Sequence, residues 1–169
     1  MTRLNVSLVL GALLVCGSAF AQQGATKLIA GDEQFANKVI STGNLEVSLG
    51  KIAVEKSSNQ QIKDLGKMMV DEHGKANEQL STLMQSKGAT PSKTLLPDHQ
   101  KDLDRLSALS GPEFDREYKQ AMIAGHQATI ADFQQQLTTL SDADLKKFAT
   151  DTLPALQKHL DMAQKVDLK

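Results

Sequence analysis

Three side chains that could bind a metal or hold a proton lie near the middle of long helical patterns. Glu46, His73 and His126 each fall close to the midpoint of a segment with apolar residues at three- and four-residue spacing. Because the midpoints of packed helices of similar length lie at one level, we expect these side chains in one layer of a helical bundle. The sequence therefore predicts a buried carboxylate that faces two imidazoles.

This layer has two physical explanations. In the first, Glu46, His73 and His126 ligate a metal, with iron, copper and zinc as candidates because imidazole suits these ions and carboxylate adds negative charge. In the second, Glu46 hydrogen-bonds one histidine as a satisfied polar pair inside the bundle. A third arrangement leaves one or more of them facing solvent. Glu46 is the weakest member, because Leu45 and Leu49 lie on a competing apolar face.

The remaining polar candidates are predicted to lie outside this layer or at its edge. His99 falls in a connection, where we expect it to be solvated. His159 lies about six residues, or about 9 Å, past the midpoint of its helix, which predicts a partly exposed position near the helix end. Glu72 lies close to His73 in angular position around the helix, so its side chain can join the edge of the layer. Phosphate-binding glycine loops and nucleophile elbows are absent from the sequence, so we do not predict an enzyme.

Four long helices and one short helix are needed to position these residues. The first begins with Asp32 as its cap, and the second opens at the capping box Ser58 to Gln61 and stops at Gly88. The third starts at Gly111-Pro112, where proline is tolerated. The fourth is capped by the segment 141–144 and contains Pro154, which is expected to bend it.

The lengths of the connections predict the topology. The first two long helices are joined by a tight turn, as are the last two, so each pair forms an antiparallel hairpin. About 23 residues with a short amphipathic helix join the hairpins, enough to run the length of a bundle about 39 Å long. We predict an all-α, ferritin-like four-helix bundle with a long crossover between helices two and three. The alternative is an up-down-up-down bundle with an excursion.

The first 21 residues read as a signal peptide and residues 22–169 as a single domain. Arg3 precedes an apolar run, and Ala19-Phe20-Ala21 forms a small-x-small cleavage site, which indicates export to a bacterial periplasm. Cleavage removes Cys16, the only cysteine of the chain. Val15 argues against a lipid anchor at Cys16, because the residue before a lipidated cysteine is normally small.

Composition excludes some classes of protein. The chain of 169 residues carries 19 Lys and Arg against 20 Asp and Glu, a net charge of −1, which argues against nucleic-acid binding. With 40% hydrophobic but only 4% aromatic residues, the core suits packed helices. An envelope partner is expected but cannot be identified, and neither the oligomeric state nor association with lipid follows from the sequence.

Several motifs resemble a secreted bacterial ferritin-like family of unassigned function, often labelled as outer membrane proteins. They are Phe35-Ala36, the segments 43–47 and 63–73, Phe114 to Tyr118, and Leu153-Pro154 with His159-Leu160. The resemblance implies a ferritin-like fold and an exported location, but no reaction. The wider superfamily holds two irons with Glu-x-x-His motifs, whereas Val70 and Ile123 stand three residues before His73 and His126 here. A dinuclear iron site is therefore not expected.

Two functional hypotheses follow. The first is an exported, non-enzymatic helical bundle that binds a partner or contributes to tolerance of envelope stress. The alternative is a ferritin-like metal-binding protein that uses Glu46, His73 and His126. A third idea is an amphipathic bundle that opens onto lipid.

Overall fold

The structure, a computed structural model, describes residues 27–169, so the predicted signal peptide and Cys16 lie outside it. Its helices are α1 (Ala30–Lys56), α2 (Gln60–Ser86), α3 (Pro97–Ser107), α4 (Gly111–Gln136) and α5 (Ala143–Lys165). Within this described part, no helix is both long enough and apolar enough to cross a membrane.

Two apolar clusters define how the long helices run. One cluster joins the beginnings of α1 and α5 to the ends of α2 and α4. The other joins the ends of α1 and α5 to the beginnings of α2 and α4, and α3 adds Leu106 to it. Thus α2 and α4 run in the same direction, and the chain between them must travel the length of the bundle. The predicted all-α bundle with a crossover between the two hairpins is confirmed.

The helix starts agree with the sequence in part. Asp142 caps α5 as predicted, because its carboxylate accepts hydrogen bonds from the backbone N–H groups of Asp144 and Leu145. The cap of α2 is Asn59 rather than Ser58, one residue later than expected. Both residue types cap helices well, so the sequence could not decide between neighbouring candidates.

Asp32 does not cap α1, which already begins at Ala30. Its buried carboxylate instead accepts hydrogen bonds from the backbone N–H groups of Ser141, at 3.1 Å, and Asp142, at 2.8 Å. The residue predicted as a local cap therefore ties α1 to the turn between α4 and α5. Its partners are more than a hundred positions away in the chain, and local pattern carries no signal for them.

Two turns follow the predicted glycine chemistry. Gly88, with φ of 74°, ends α2, and Gly111, with φ of 57°, begins α4. Both conformations lie in the left-handed region that glycine adopts without steric cost. Further along, α5 runs across Pro154 as a single helix, and Pro154 lies on its exposed face.

Helices α1 and α2 approach closely where two glycines face each other. A Cβ atom at Gly50 would lie 2.6 Å from the carbonyl oxygen of Gly66, and one at Gly66 would lie 2.7 Å from the carbonyl oxygen of Gly50. Neither backbone can accommodate that atom without moving. This contact sets the spacing of α1 and α2 near Glu46, which is four residues from Gly50, and near His73, which is seven residues from Gly66.

The helix contact predicts a contrast between two substitutions in α2. Gly66→Ala should lower the free energy of unfolding by about 1–3 kcal/mol, because it forces α1 and α2 apart. Gly74→Ala should raise it by about 0.5–1 kcal/mol, because its Cβ meets nothing within 4 Å and alanine favours the helix. Urea unfolding followed by circular dichroism measures both. Equal stabilities would show that the glycine contact does not limit the packing.

Candidate metal centre

The bundle brings four titratable side chains together at mid-height, one from each long helix. Glu46 of α1, His73 of α2, His126 of α4 and His159 of α5 are only 3%, 8%, 0% and 2% exposed. They lie between the two apolar clusters, and we call them the polar layer. The three residues singled out in the sequence are thus close together and buried, although whether they ligate a metal stays a prediction.

His159 corrects the sequence analysis, which placed it near the helix end and partly exposed. Helical side chains point toward the N-terminus of their helix, so the imidazole lies nearer the bundle centre than its Cα atom does. Because α4 and α5 are antiparallel, His126 and His159 point toward each other. A signal was available, since Leu156, His159, Leu160 and Ala163 follow the spacing of a buried seam.

Glu46 and His73 form one half of the polar layer. Glu46 Oε2 and His73 Nε2 are 2.8 Å apart, but neither atom has a hydrogen-bond partner at a suitable angle. Burial works to raise the pKa of the Glu46 carboxyl, but His73 and, more weakly, the other two histidines lower it to about 2. Burial likewise works to lower the pKa of His73, yet the Glu46 carboxylate raises it. Without a metal this half is a buried ion pair.

The other half of the layer is a chain of contacts from the core to the surface. His126 Nδ1 lies 2.8 Å from the carbonyl oxygen of Met122, and His126 Nε2 lies 3.2 Å from His159 Nδ1. His159 Nε2 is 2.9 Å from Glu72 Oε2, and the other oxygen of Glu72 accepts from Lys158 at 2.8 Å. Glu72 therefore joins the edge of the layer, as its angle on α2 predicted.

The partners of the two imidazoles determine where their protons lie. The Met122 carbonyl and the Glu72 carboxylate only accept, so His126 Nδ1 and His159 Nε2 must each carry the donated hydrogen. The two nitrogens that face each other at 3.2 Å are then both bare lone pairs, unless the pair holds an extra proton. Burial opposes that proton by lowering the pKa of His159, to about 4. Two imidazole lone pairs that face each other repel, and a cation bound by both nitrogens would remove that repulsion.

The layer has space beside it. A cavity of about 20 Å³ is bordered by Glu46 and His73, by apolar side chains that include Phe133 and Leu156, and by polar ones such as Thr129. That volume accommodates one water molecule or one ion. The three histidines each offer a nitrogen, and these atoms all lie within 4.8 Å of one another.

His99 lies outside the polar layer. It is half-buried on α3, and its Nδ1 is 2.7 Å from the hydroxyl oxygen of Ser41, so it is less solvated than expected. It makes no contact with the three buried histidines among the hydrogen bonds of the described residues. His99 is therefore a natural internal control for the other three.

The fold and the site together define a class of all-helical bundles with a buried, histidine-rich centre. Among solved structures, a DUF305 fragment from Deinococcus radiodurans is similar, with a TM-score of 0.72 and 15% identity over 82% of this chain and 95% of that one. CopM in its Cu(II)-bound form has a TM-score of 0.66 and 18% identity over 79% of this chain and 93% of CopM. Its Cu(I)-bound form gives the same TM-score at 17% identity.

The chain itself belongs to the family described as "Domain of unknown function (DUF4142)", whose model matches residues 17–166. A comparison with curated proteins found no match. The TM-scores establish that these structures share the helical fold of this chain.

The buried ion pair predicts an asymmetry between two apolar substitutions. In metal-free protein, His73→Leu should cost about 3–5 kcal/mol because it leaves the buried Glu46 carboxylate with only the longer contact to His126 Nδ1, at 3.5 Å. Glu46→Leu should cost about 1–3 kcal/mol, since His73 can become neutral and His126 keeps its carbonyl and histidine partners. The double variant should be more stable than His73→Leu alone. Urea unfolding in EDTA measures all three, and additive losses would show that the pair is not coupled.

His159 predicts how the stability of the metal-free protein depends on pH. Its pKa is lowered from 6.5 to about 4 in the folded state, so acid protonates the unfolded chain first and stability falls between these values. From about pH 7 to about pH 4.5 the wild type should lose about 2 kcal/mol more than His159→Leu. Urea unfolding in EDTA at both pH values measures the difference. Parallel losses in the two proteins would contradict the assignment.

Proposed function

We propose that this protein binds a single divalent transition-metal ion in the polar layer, through Glu46, His73, His126 and His159. The observation that carries the proposal is the 3.2 Å approach of His126 Nε2 and His159 Nδ1, enclosed in the core beside a carboxylate and a third histidine. A bound cation would relieve the contact between the two lone pairs. It would also replace the proton that holds Glu46 and His73 together.

The distances between donor atoms support this assignment. Two ligands of a tetrahedral ion, each about 2.0–2.1 Å from it, lie about 3.3 Å apart, and cis ligands of a tetragonal ion lie about 2.9 Å apart. The His126–His159 and Glu46–His73 contacts, at 3.2 Å and 2.8 Å, have these separations. The histidine nitrogens reach 4.8 Å across the layer, so binding requires small side-chain rotations.

Hydrogen bonds behind the ligands also suit a metal centre. Histidines that bind metals usually donate their second N–H to a carboxylate or a carbonyl, which fixes the tautomer and the ring orientation. His159 has Glu72 in this position, and His126 has the carbonyl of Met122. The Glu46 carboxylate would supply negative charge at the ion, and the Glu72 carboxylate behind His159 is shared with Lys158.

The donor set favours copper(II) or zinc over a dinuclear iron site. Three imidazoles and one carboxylate suit both ions, and imidazole sites generally bind copper(II) more tightly than zinc. The fold shared with CopM, whose structures hold Cu(II) and Cu(I), makes copper the first ion to test. Val70 and Ile123 occupy the positions from which iron-bridging carboxylates would come.

Metal binding gives a specific form to the expected non-enzymatic role. All four donor side chains are protein groups and are buried, which is typical of sites that hold an ion rather than turn over a substrate. The predicted signal peptide assigns this role to the periplasm. There the mature chain, without Cys16, would rely on imidazole and carboxylate ligands.

Elemental analysis of tag-free protein tests the proposal. After loading with Cu²⁺, Zn²⁺ or Fe²⁺ and desalting, the wild type should retain about one ion per chain, with copper held most tightly. His126→Leu and His159→Leu should each lose this ion, and electron paramagnetic resonance of the copper-loaded wild type should show coupling to nitrogen.

His99→Ala is the matched control, because it removes a histidine outside the polar layer and should bind metal like the wild type. Circular dichroism checks that each variant is folded. Metal at background levels with all three ions would overturn the proposal. Equal loss in His99→Ala would show that the bound ion lies elsewhere.

A further inference from the structure

A groove on one side of the bundle leads to the polar layer. It lies between α1 and α4 beneath the crossover helix α3, has a volume of about 330 Å³, and has Glu46 among its lining residues. Its walls are largely apolar, with Val39, Leu49 and Phe133 among them. We call it the crossover groove, and it borders the one carboxylate of the polar layer.

Gly125 leaves the path from the crossover groove to Glu46 open. It lines the crossover groove next to His126 in sequence, and a Cβ atom added there would meet only Glu46 Oε1, at 3.9 Å. Larger side chains at this position would stand between the groove and the carboxylate. Ala128, on the exposed surface of α4, continues the same opening toward solvent.

Most charged side chains at the groove form ion pairs. Lys38 of α1 and Asp132 of α4 form an ion pair of 3.0 Å across the groove, with Lys38 half-exposed. Arg105, which also lines the groove, pairs with Glu117 at 2.8 Å and with Asp102 at 3.5 Å. The carboxylate of Glu46 lies beyond this rim, and it attracts a cation that passes the rim.

The opposite side of the layer is covered. Between α2 and α5, Glu72 bonds to His159 at 2.9 Å and to Lys158 at 2.8 Å. An ion that entered there would have to break both contacts and pass the positive charge of Lys158. The two sides of the polar layer therefore differ, with hydrogen-bonded cover over the histidines and a groove over the carboxylate.

We propose that the crossover groove is the route by which a divalent metal ion enters and leaves the polar layer, with Glu46 as the first ligand that it meets. This inference rests on the proposed function. Passage requires the space above Gly125. The histidines then complete the binding of the ion beside the carboxylate, without movement of the Glu72 side of the bundle.

The inference is tested by the rates of copper uptake and release. Gly125→Leu should slow both Cu²⁺ binding and its release to excess EDTA by about tenfold or more, because one added barrier affects both directions. The equilibrium affinity should stay nearly constant, since the four ligands are unchanged. Ala128→Leu, at the exposed end of the groove, should slow both rates to a smaller extent without any effect on folding.

Gly74→Leu is the matched control, since Gly74 is adjacent to His73 and has open space around it, as Gly125 has next to His126. It should leave both rates unchanged. Lys158→Ala, which uncovers the other side, should likewise have little effect. Unchanged rates in both groove variants, or faster uptake in Lys158→Ala, would overturn the route while leaving metal binding intact. Failure of the wild type to bind copper or zinc at all would overturn the route and the proposed function together.

Discussion

Burial of one carboxylate and three imidazoles at the centre of a small bundle is the constraint on which the rest of this structure depends. An ionised group without partners in the core costs several kcal/mol, so each of these atoms needs a neighbour that matches it. Glu46 meets His73, His126 meets a backbone carbonyl, and His159 meets Glu72 at the surface. His126 Nε2 and His159 Nδ1 face each other at 3.2 Å. The polar layer also divides the apolar core into two clusters, one toward each end of the bundle.

The backbone geometry follows from the same constraint. Gly50 and Gly66 let α1 and α2 approach closely, and Asn77 fills the space over Gly43 with hydrogen bonds to the carbonyl of Ile40 and to Asn44. These contacts lie on either side of the Glu46–His73 pair along the two helices. Small residues thus hold the helices at a separation where a glutamate and a histidine touch. Among residues 27–169, the phenylalanine and tyrosine rings lie in the clusters at the two ends.

Much of the fold and part of the site could be predicted from the sequence, for identifiable reasons. Glu46, His73 and His126 were found because mid-helix positions on seams share a level whichever way each helix runs. The expectation for His159 is wrong because its imidazole lies at a different level from its Cα atom, and side chains in antiparallel helices point in opposite directions along the bundle. The expectation for Asp32 is wrong because a carboxylate near a helix start can either cap that helix or bond the backbone of a distant segment. Only the tertiary structure shows that it bonds the turn before α5.

The asymmetry of the polar layer bears on why such a costly arrangement would persist. A buried polar cluster is often no more stable than well-packed apolar residues of the same volume, so stability alone does not account for it. His159 is oriented by Glu72 and His126 by the Met122 carbonyl, and the other nitrogens of these two rings face each other inside the bundle. The carboxylate on the other side lies against an open groove beside Gly125. A site that exchanges ions needs oriented donor atoms and an open path for the ion. A purely structural polar cluster would need neither.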